Sequence, residues 1–314
     1  MKKNWFLIGL FVAVLFAFLL PEGIQVLPFD LITDIGVGLI FFFYGLKLSL
    51  GELKTGLSNY RVHLLVQLAT FLLFPLLVLP FYPVFSATVH ENWWLAFFFL
   101  AALPSTVSSS VVMVSLARGN VSAAIFNASL SGLIGLVLTP FWLQLFMDSS
   151  EGFEVGRVIL NMVYQIILPL IAGLILSPYL KKTLAPFLKK SGIFDKAVIV
   201  LIVYSSFSHA FALNIFSELG FLGFVLILTG ILFLFTLVYT LLRYLTKLFH
   251  FSTDNKITAE FCGAQKSLVH GSAMGKIMFP AAQLSIFLLP IMLYHVLQLV
   301  IIAVIAERYR KKGW

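Results

Sequence analysis

The stretch TAEFCGAQKSLVHGS, residues 258–272, lies between two long apolar runs and decides how the chain is read. It gathers Glu260, Gln265, Lys266 and His270, and Gly263, Gly271 and the nearby Gly275 weaken its helix propensity. A lysine in the middle of an apolar span costs about 2.5–3.5 kcal/mol on insertion scales, so its presence there needs a reason.

The surroundings of that stretch define the solvent. The chain has 314 residues, of which 61% are hydrophobic and 11% charged, with a mean hydropathy of +1.03. Soluble domains are about 45–50% apolar and about 25% charged. The excess exceeds what a core of this size can hide, so lipid is the partner of most of the surface. The net charge of +8 is spread over short loops rather than one basic face, which is a topology signal and not a nucleic-acid footprint. A single cysteine, Cys262, leaves no internal disulfide and no cysteine-based metal cluster. The opening MKKNW and its apolar run lead into PEGIQ without a small-residue cleavage site, so the run reads as a retained first span.

Apolar runs of membrane-crossing length predict ten spans, near 5–20, 32–49, 62–84, 93–116, 120–146, 157–178, 195–213, 219–245, 257–276 and 280–305. Lysine and arginine set the direction. With the N-terminus in the cytoplasm, only Arg157 and Lys276 fall on the far side and only Lys266 within a span. Both termini are then cytoplasmic, as expected of a multi-pass protein of a plasma membrane (in a bacterium, the inner membrane).

Ten spans divide into two sets of five, and an odd-numbered set reinserts upside down. The expected fold is therefore an all-α polytopic membrane protein of two inverted repeats, 1–150 and 151–314, forming one integral membrane unit. The fourth span of each repeat is unusual. In the first, Pro104 removes a backbone donor and is followed by Ser105, Thr106, Ser108, Ser109 and Ser110. In the second it is the opening stretch itself. Either feature alone fits an ordinary kinked or packing helix; matched at corresponding places, they predict two broken spans that cross, with their freed polar groups facing a hydrated pocket.

The runs ALPSTVSSSVVMVSLARGN and EFCGAQKS, together with the polar fifth span ending in LTP, resemble the bile acid:sodium symporter superfamily. The resemblance covers the whole chain and is nearest to a divergent branch of bacterial proteins and a vertebrate orphan carrier. It implies a panel and a core subdomain, two crossing broken helices, and sodium-coupled uptake of a small organic anion by alternating access. It also implies ion-binding roles for Ser109, Ser110, Asn127, Ser129 and Gln265. The family's carboxylate position falls on Phe261, so Glu260 stands one place early: either the unwound turn absorbs the shift and Glu260 joins the ion-binding set, or that carboxylate ligand is lost; a position usually small or amide is Lys266.

Sodium as coupling ion asks for hard oxygens, which these residues supply. Lys266 opens other readings: a fixed cation where relatives hold sodium, a proton-coupled switch, a direct partner of an anion, or a static pair with Glu260 or a free carbonyl. Thr106, Ser108, Lys266, Ser267 and His270 are the expected substrate-facing set. On a continuous helix Lys266 and His270, four apart, would share a face. Asn161, Gln165, His209, His295 and Gln298 read either as cavity-lining or as hydrogen-bonding between helices, with packing favoured for most, and Asp34 as interfacial. No H-E-x-x-H, G-x-S-x-G or pair of intramembrane aspartates is present, so an enzyme is not expected. The rival to sodium coupling is a sodium-independent or proton-coupled carrier or exporter in which Lys266 replaces the coupling ion. Substrate identity and oligomeric state are not written in these residues.

Overall fold

The computed structural model describes residues 5–25, 28–47, 59–85, 91–106, 108–147, 160–213 and 220–312. Lys2, Lys3, Lys54 and Arg157, which enter the orientation argument, lie outside them. In chain order the helices are α1 (Trp5–Leu19), α2 (Phe29–Lys47), α3 (Tyr60–Phe85), α4 (Glu91–Ala102), α5 (Ser108–Leu116) and α6 (Val121–Gln144). They continue with α7 (Leu160–Thr183), α8 (Ser191–Ala212), α9 (Gly220–Leu248), α10 (Thr253–Ala264), α11 (Leu268–Met278) and α12 (Ala281–Lys312). Among the described residues there is no strand. Seven helices, α2, α3, α6, α7, α8, α9 and α12, are long and apolar enough to cross a membrane, and α1 is a shorter apolar helix. Phe11, Ile175 and Phe221 are among many large apolar side chains left exposed, as lipid-facing helices require. The chain is an all-α, polytopic membrane protein.

The two unusual spans are each in two pieces. Helix α4 ends at Ala102 and α5 begins at Ser108, around Pro104 as expected. The other interruption falls at Gln265–Ser267, between α10 and α11, and not at the glycines: Gly263 lies inside α10, and Gly271 and Gly275 inside α11. The physical reason is that the 265–267 backbone is held open by partners elsewhere in the chain, whereas a glycine lowers helix propensity by only about 1 kcal/mol.

Two compact units emerge. The first comprises 1–48, 148–220 and 272–288; the second comprises 49–147, 221–271 and 289–314. In the first, α2 and α7 approach so closely that their backbones touch through glycine. A Cβ on Gly45 would strike the Leu170 carbonyl, and one on Gly173 would strike the Phe42 carbonyl, a reciprocal fit only small residues allow. Phe43 then packs its ring against Phe187 and Phe194, with centroids at 4.9 and 5.7 Å.

In the second unit, α6 presents Ala123, Asn127, Ser131, Gly135, Thr139 and Leu143 at every fourth position, all buried. Neighbouring members of that row share a face, and the row winds slowly about the helix. Ser131, Gly135 and Thr139, being small or polar, let the interrupted α4–α5 segment lie close. Helix α3 contains a π-turn, Ala69–Leu73, immediately before Phe74 and Pro75.

Candidate functional site

A broken helix exposes carbonyls that must find donors. Around Pro104 several freed groups have a named partner. The Ala102 carbonyl accepts from Thr139 Oγ1 at 2.7 Å, and the Pro104 carbonyl from the Ser267 amide at 2.9 Å. The Ser105 amide donates to Ser131 Oγ at 2.9 Å, and Ser105 Oγ to the Cys262 carbonyl at 2.5 Å. Across the second interruption, Tyr294 OH donates to the Ala264 carbonyl at 2.7 Å. The side-chain amide of Gln298 holds both sides of residue 266, accepting from its N–H at 2.8 Å and donating to its carbonyl at 2.9 Å. The two interruptions therefore meet and complete one another.

Three further carbonyls belong to Lys266. Its Nζ donates to the carbonyls of Ala101 at 2.6 Å, Thr70 at 2.7 Å and Leu103 at 2.8 Å, and stands 4.1 Å from the centre of the Phe74 ring. The side chain is fully buried. An ammonium has three hydrogens, and all three are used. The Thr70 carbonyl is available because of local sequence. Within the π-turn the Phe74 amide donates to the Ala69 carbonyl, and the next residue, Pro75, has no N–H to give Thr70 in that register. The neighbouring Phe71 carbonyl is taken by Trp142 Nε1 at 2.8 Å. Lys266 is thus a cation inside a tripod of backbone oxygens, with an aromatic face beside it.

Beside this tripod lies a cluster of hydroxyls. Thr106 Oγ1 and Ser109 Oγ donate to Gln265 Oε1 at 2.8 and 3.1 Å and lie 2.6 Å from each other. Ser110 Oγ donates to the Thr106 carbonyl at 2.5 Å. Gln265 Nε2 is buried with no partner among the described residues, which leaves a donor on hand. The side chain of Ser108 lies outside the described part. Ser267 Oγ and His270 Nδ1 share a hydrogen bond of 3.0 Å, and both residues are buried.

Other expected residues are placed elsewhere in the second unit. Asn127 donates to the Ala123 carbonyl and accepts from Gln67 Nε2 at 3.2 Å. Ser129 is half-buried on α6. Glu260 is fully buried. Its carboxylate accepts from Tyr239 OH at 3.0 Å, Tyr309 OH at 3.2 Å and Thr246 Oγ1 at 3.3 Å, with Lys256 Nζ at 3.9 Å. It thereby ties α9, α10 and α12 together. Because residues 265–267 are not helical, the four-residue spacing of Lys266 and His270 puts them on no common face. Of the open alternatives for a static Lys266 partner, the carbonyls are what the structure shows.

Gln67, Thr70, Ser131, Thr139 and Tyr294 were not visible as site residues in sequence, and Gln298 was one of a group read mainly as packing. The four-residue repeat of small and polar positions along α6 is the signal that would have found Ser131 and Thr139.

Interrupted helices that meet through freed polar groups inside an apolar helical chain are an architecture of membrane transporters. The chain belongs to the SBF-like CPA transporter family, whose profile matches residues 4–311. It is 37% identical over 311 residues to an uncharacterized protein of Pseudomonas aeruginosa, covering 98% of this chain and 93% of that one. It is 32% identical to sodium/bile acid cotransporter 7-B of Xenopus laevis, over 100% of this chain and 93% of the relative. Against sodium/bile acid cotransporter 7 of Mus musculus the identity is 31%, over 100% and 94%. The family resemblance read from the sequence agrees with these matches, and a family of transporters leaves no place for an enzyme.

Proposed function

We propose that the protein moves a small organic anion across the membrane by alternating access, with Lys266 occupying the place of a coupling cation. The observation that carries this reading is the ammonium of Lys266 on the carbonyls of Thr70, Ala101 and Leu103. A tripod of backbone oxygens is an environment in which a small monovalent cation is held. Here the cation is covalent. Since its three donors all go to neutral carbonyls, its charge is not cancelled by a hydrogen-bonded carboxylate, and the adjoining Gln265 Nε2 offers a donor to an anion.

The wider architecture follows the same reading. The seven long helices, α1 and the pairs α4–α5 and α10–α11 make ten spans, read as inverted repeats over 1–150 and 151–314. The two compact units correspond to the family's panel and core. Both termini are cytoplasmic, in a plasma membrane.

Sodium coupling is the second reading. It is favoured by the convergence of Thr106, Ser109 and Gln265 oxygens within 2.6–3.1 Å, by Ser110, Asn127 and Ser129 at positions that resemble the family's ion ligands, and by relatives named as sodium cotransporters. Proteoliposomes offered a panel of radiolabelled small carboxylates and sulfonates, with sodium and pH gradients imposed separately, distinguish the two. Uptake without sodium in the wild type, lost in Lys266→Ala, is expected. Uptake that requires a sodium gradient and survives Lys266→Ala would assign coupling to sodium instead.

A further inference from the structure

The first compact unit contains a cavity of about 250 Å3 that the transport reading does not use. It is walled by α2, α7, α8, the end of α11 and the start of α12. Asp30 and Asp34 come from α2, Gln165 from the π-turn of α7, Ser206 from α8 and Lys276 from the end of α11. Lys276 Nζ lies 2.5 Å from Asp34 Oδ1 and 4.0 Å from Asp30 Oδ1, and donates to the Asp30 carbonyl at 3.1 Å. Two carboxylates against one ammonium leave the cavity one negative charge in excess. The Asp30 side chain is 67% exposed and that of Asp34 40%, so this charge faces solvent and is open to a newcomer.

The inner wall is also incomplete. Ser206 is 2% exposed, yet its Oγ has no hydrogen-bond partner among the described residues, and neither has the buried Oε1 of Gln165. Buried polar atoms are normally paired, so orphans lining a cavity point to a guest or to water. A carboxylate-rich rim over an inner wall of unpaired oxygens fits a ligand that brings positive charge and N–H donors together. The volume lies below the usual range of drug-sized pockets, which sets a small size.

We infer that this cavity binds a small primary ammonium group. The ammonium lies against Asp34 and Asp30 and directs its hydrogens towards Gln165 Oε1 and Ser206 Oγ. Lys276 is its built-in competitor: each carboxylate the ligand engages is one that Lys276 shares or releases. This site is separate from the Lys266 tripod and does not depend on the direction or coupling of anion transport.

Saturation-transfer NMR on the full chain in nanodiscs tests it, with propylammonium, tetramethylammonium and propionate as probes. Propylammonium is expected to bind, while tetramethylammonium, which has no N–H, and propionate are not. Ser206→Ala and Asp34→Asn should each weaken propylammonium by about tenfold, the size of one charge-assisted hydrogen bond, and Lys276→Gln should tighten it by a similar factor. Should Asp34→Asn fail to fold, Ser206→Ala and Lys276→Gln decide the matter. Absence of propylammonium binding means a merely hydrated cavity and overturns the inference. Equal binding of tetramethylammonium, binding of propionate in its place, or affinity unmoved by both Ser206→Ala and Lys276→Gln overturns it too.

Discussion

Lys266 brings three hydrogens into the protein interior and spends them on carbonyls that α3 and α4 cannot satisfy themselves. Removing the ammonium while keeping the side-chain volume isolates that contribution. Lys266→Met should lower stability by about 3 kcal/mol or more, because three buried carbonyls lose their donor at about 1–3 kcal/mol each, moderated by water entry. Lys266→Arg should not restore it, since a planar guanidinium cannot place three donors on a tripod. Thermal unfolding in nanodiscs measures both, and a Met variant as stable as wild type would remove the structural role assigned here. The adjacent Gln298→Leu, which strips both hydrogen bonds from the Lys266 peptide, should cost about 2–4 kcal/mol in the same assay. At this scale the sequence told only part of the story. The depth of Lys266 in an apolar run marked it as purposeful, but its acceptors are 163, 165 and 196 residues away in the chain. No local pattern announces that Pro75 and a π-turn leave the Thr70 carbonyl without a helical donor.

The interrupted α4–α5 segment stands on α6, and the fit is tight where Pro104 crosses Gly135. A Cβ at residue 135 would lie 2.8 Å from Pro104 Cβ, closer than carbon atoms pack. Gly135→Ala should therefore destabilise by about 1–3 kcal/mol through overpacking. Ser131→Ala, four residues away on the same face, leaves the Ser105 amide without its acceptor and should cost a similar amount. Both act on one break, so the double variant should fall short of or exceed the sum by more than the usual scatter for distant sites. A denaturation series over wild type, the singles and the double checks this; strict additivity would mean the two residues support the break independently. Pro104 with its run of hydroxyls made the first interruption readable, because proline and serine act on their own backbone. The second was readable in position but not in cause. Its glycines sit within helices, and the opening at 265–267 depends on Gln298, Ser267 and Pro104, a tertiary arrangement.

Across the whole molecule, Lys and Arg asymmetry assigns the start of α2 and the end of α11 to the outer side, and the turn after α5 and the start of α10 to the inner side. The structure pairs them in the same sense. Lys276 binds Asp34, while Asn120 receives the Asp254 carbonyl on its amide and donates through Nδ2 to Asn255 Oδ1. Groups that touch belong to one side of a bilayer, so these contacts agree with the pairing of the ends, and the direction is left to experiment. Cysteine labelling tests it directly, because the native background is a single, fully buried thiol, Cys262. The wild type should take up no membrane-impermeant maleimide from either side. Glu22→Cys, in the exposed turn between α1 and α2, should react in right-side-out vesicles only. Lys189→Cys, in the exposed turn between α7 and α8, should react in inverted vesicles only. Reaction of both from the same side would break the parity that ten spans require, since five crossings separate the two turns. Reversal of both would keep the parity and overturn the direction, placing the basic turns, and with them both termini, outside.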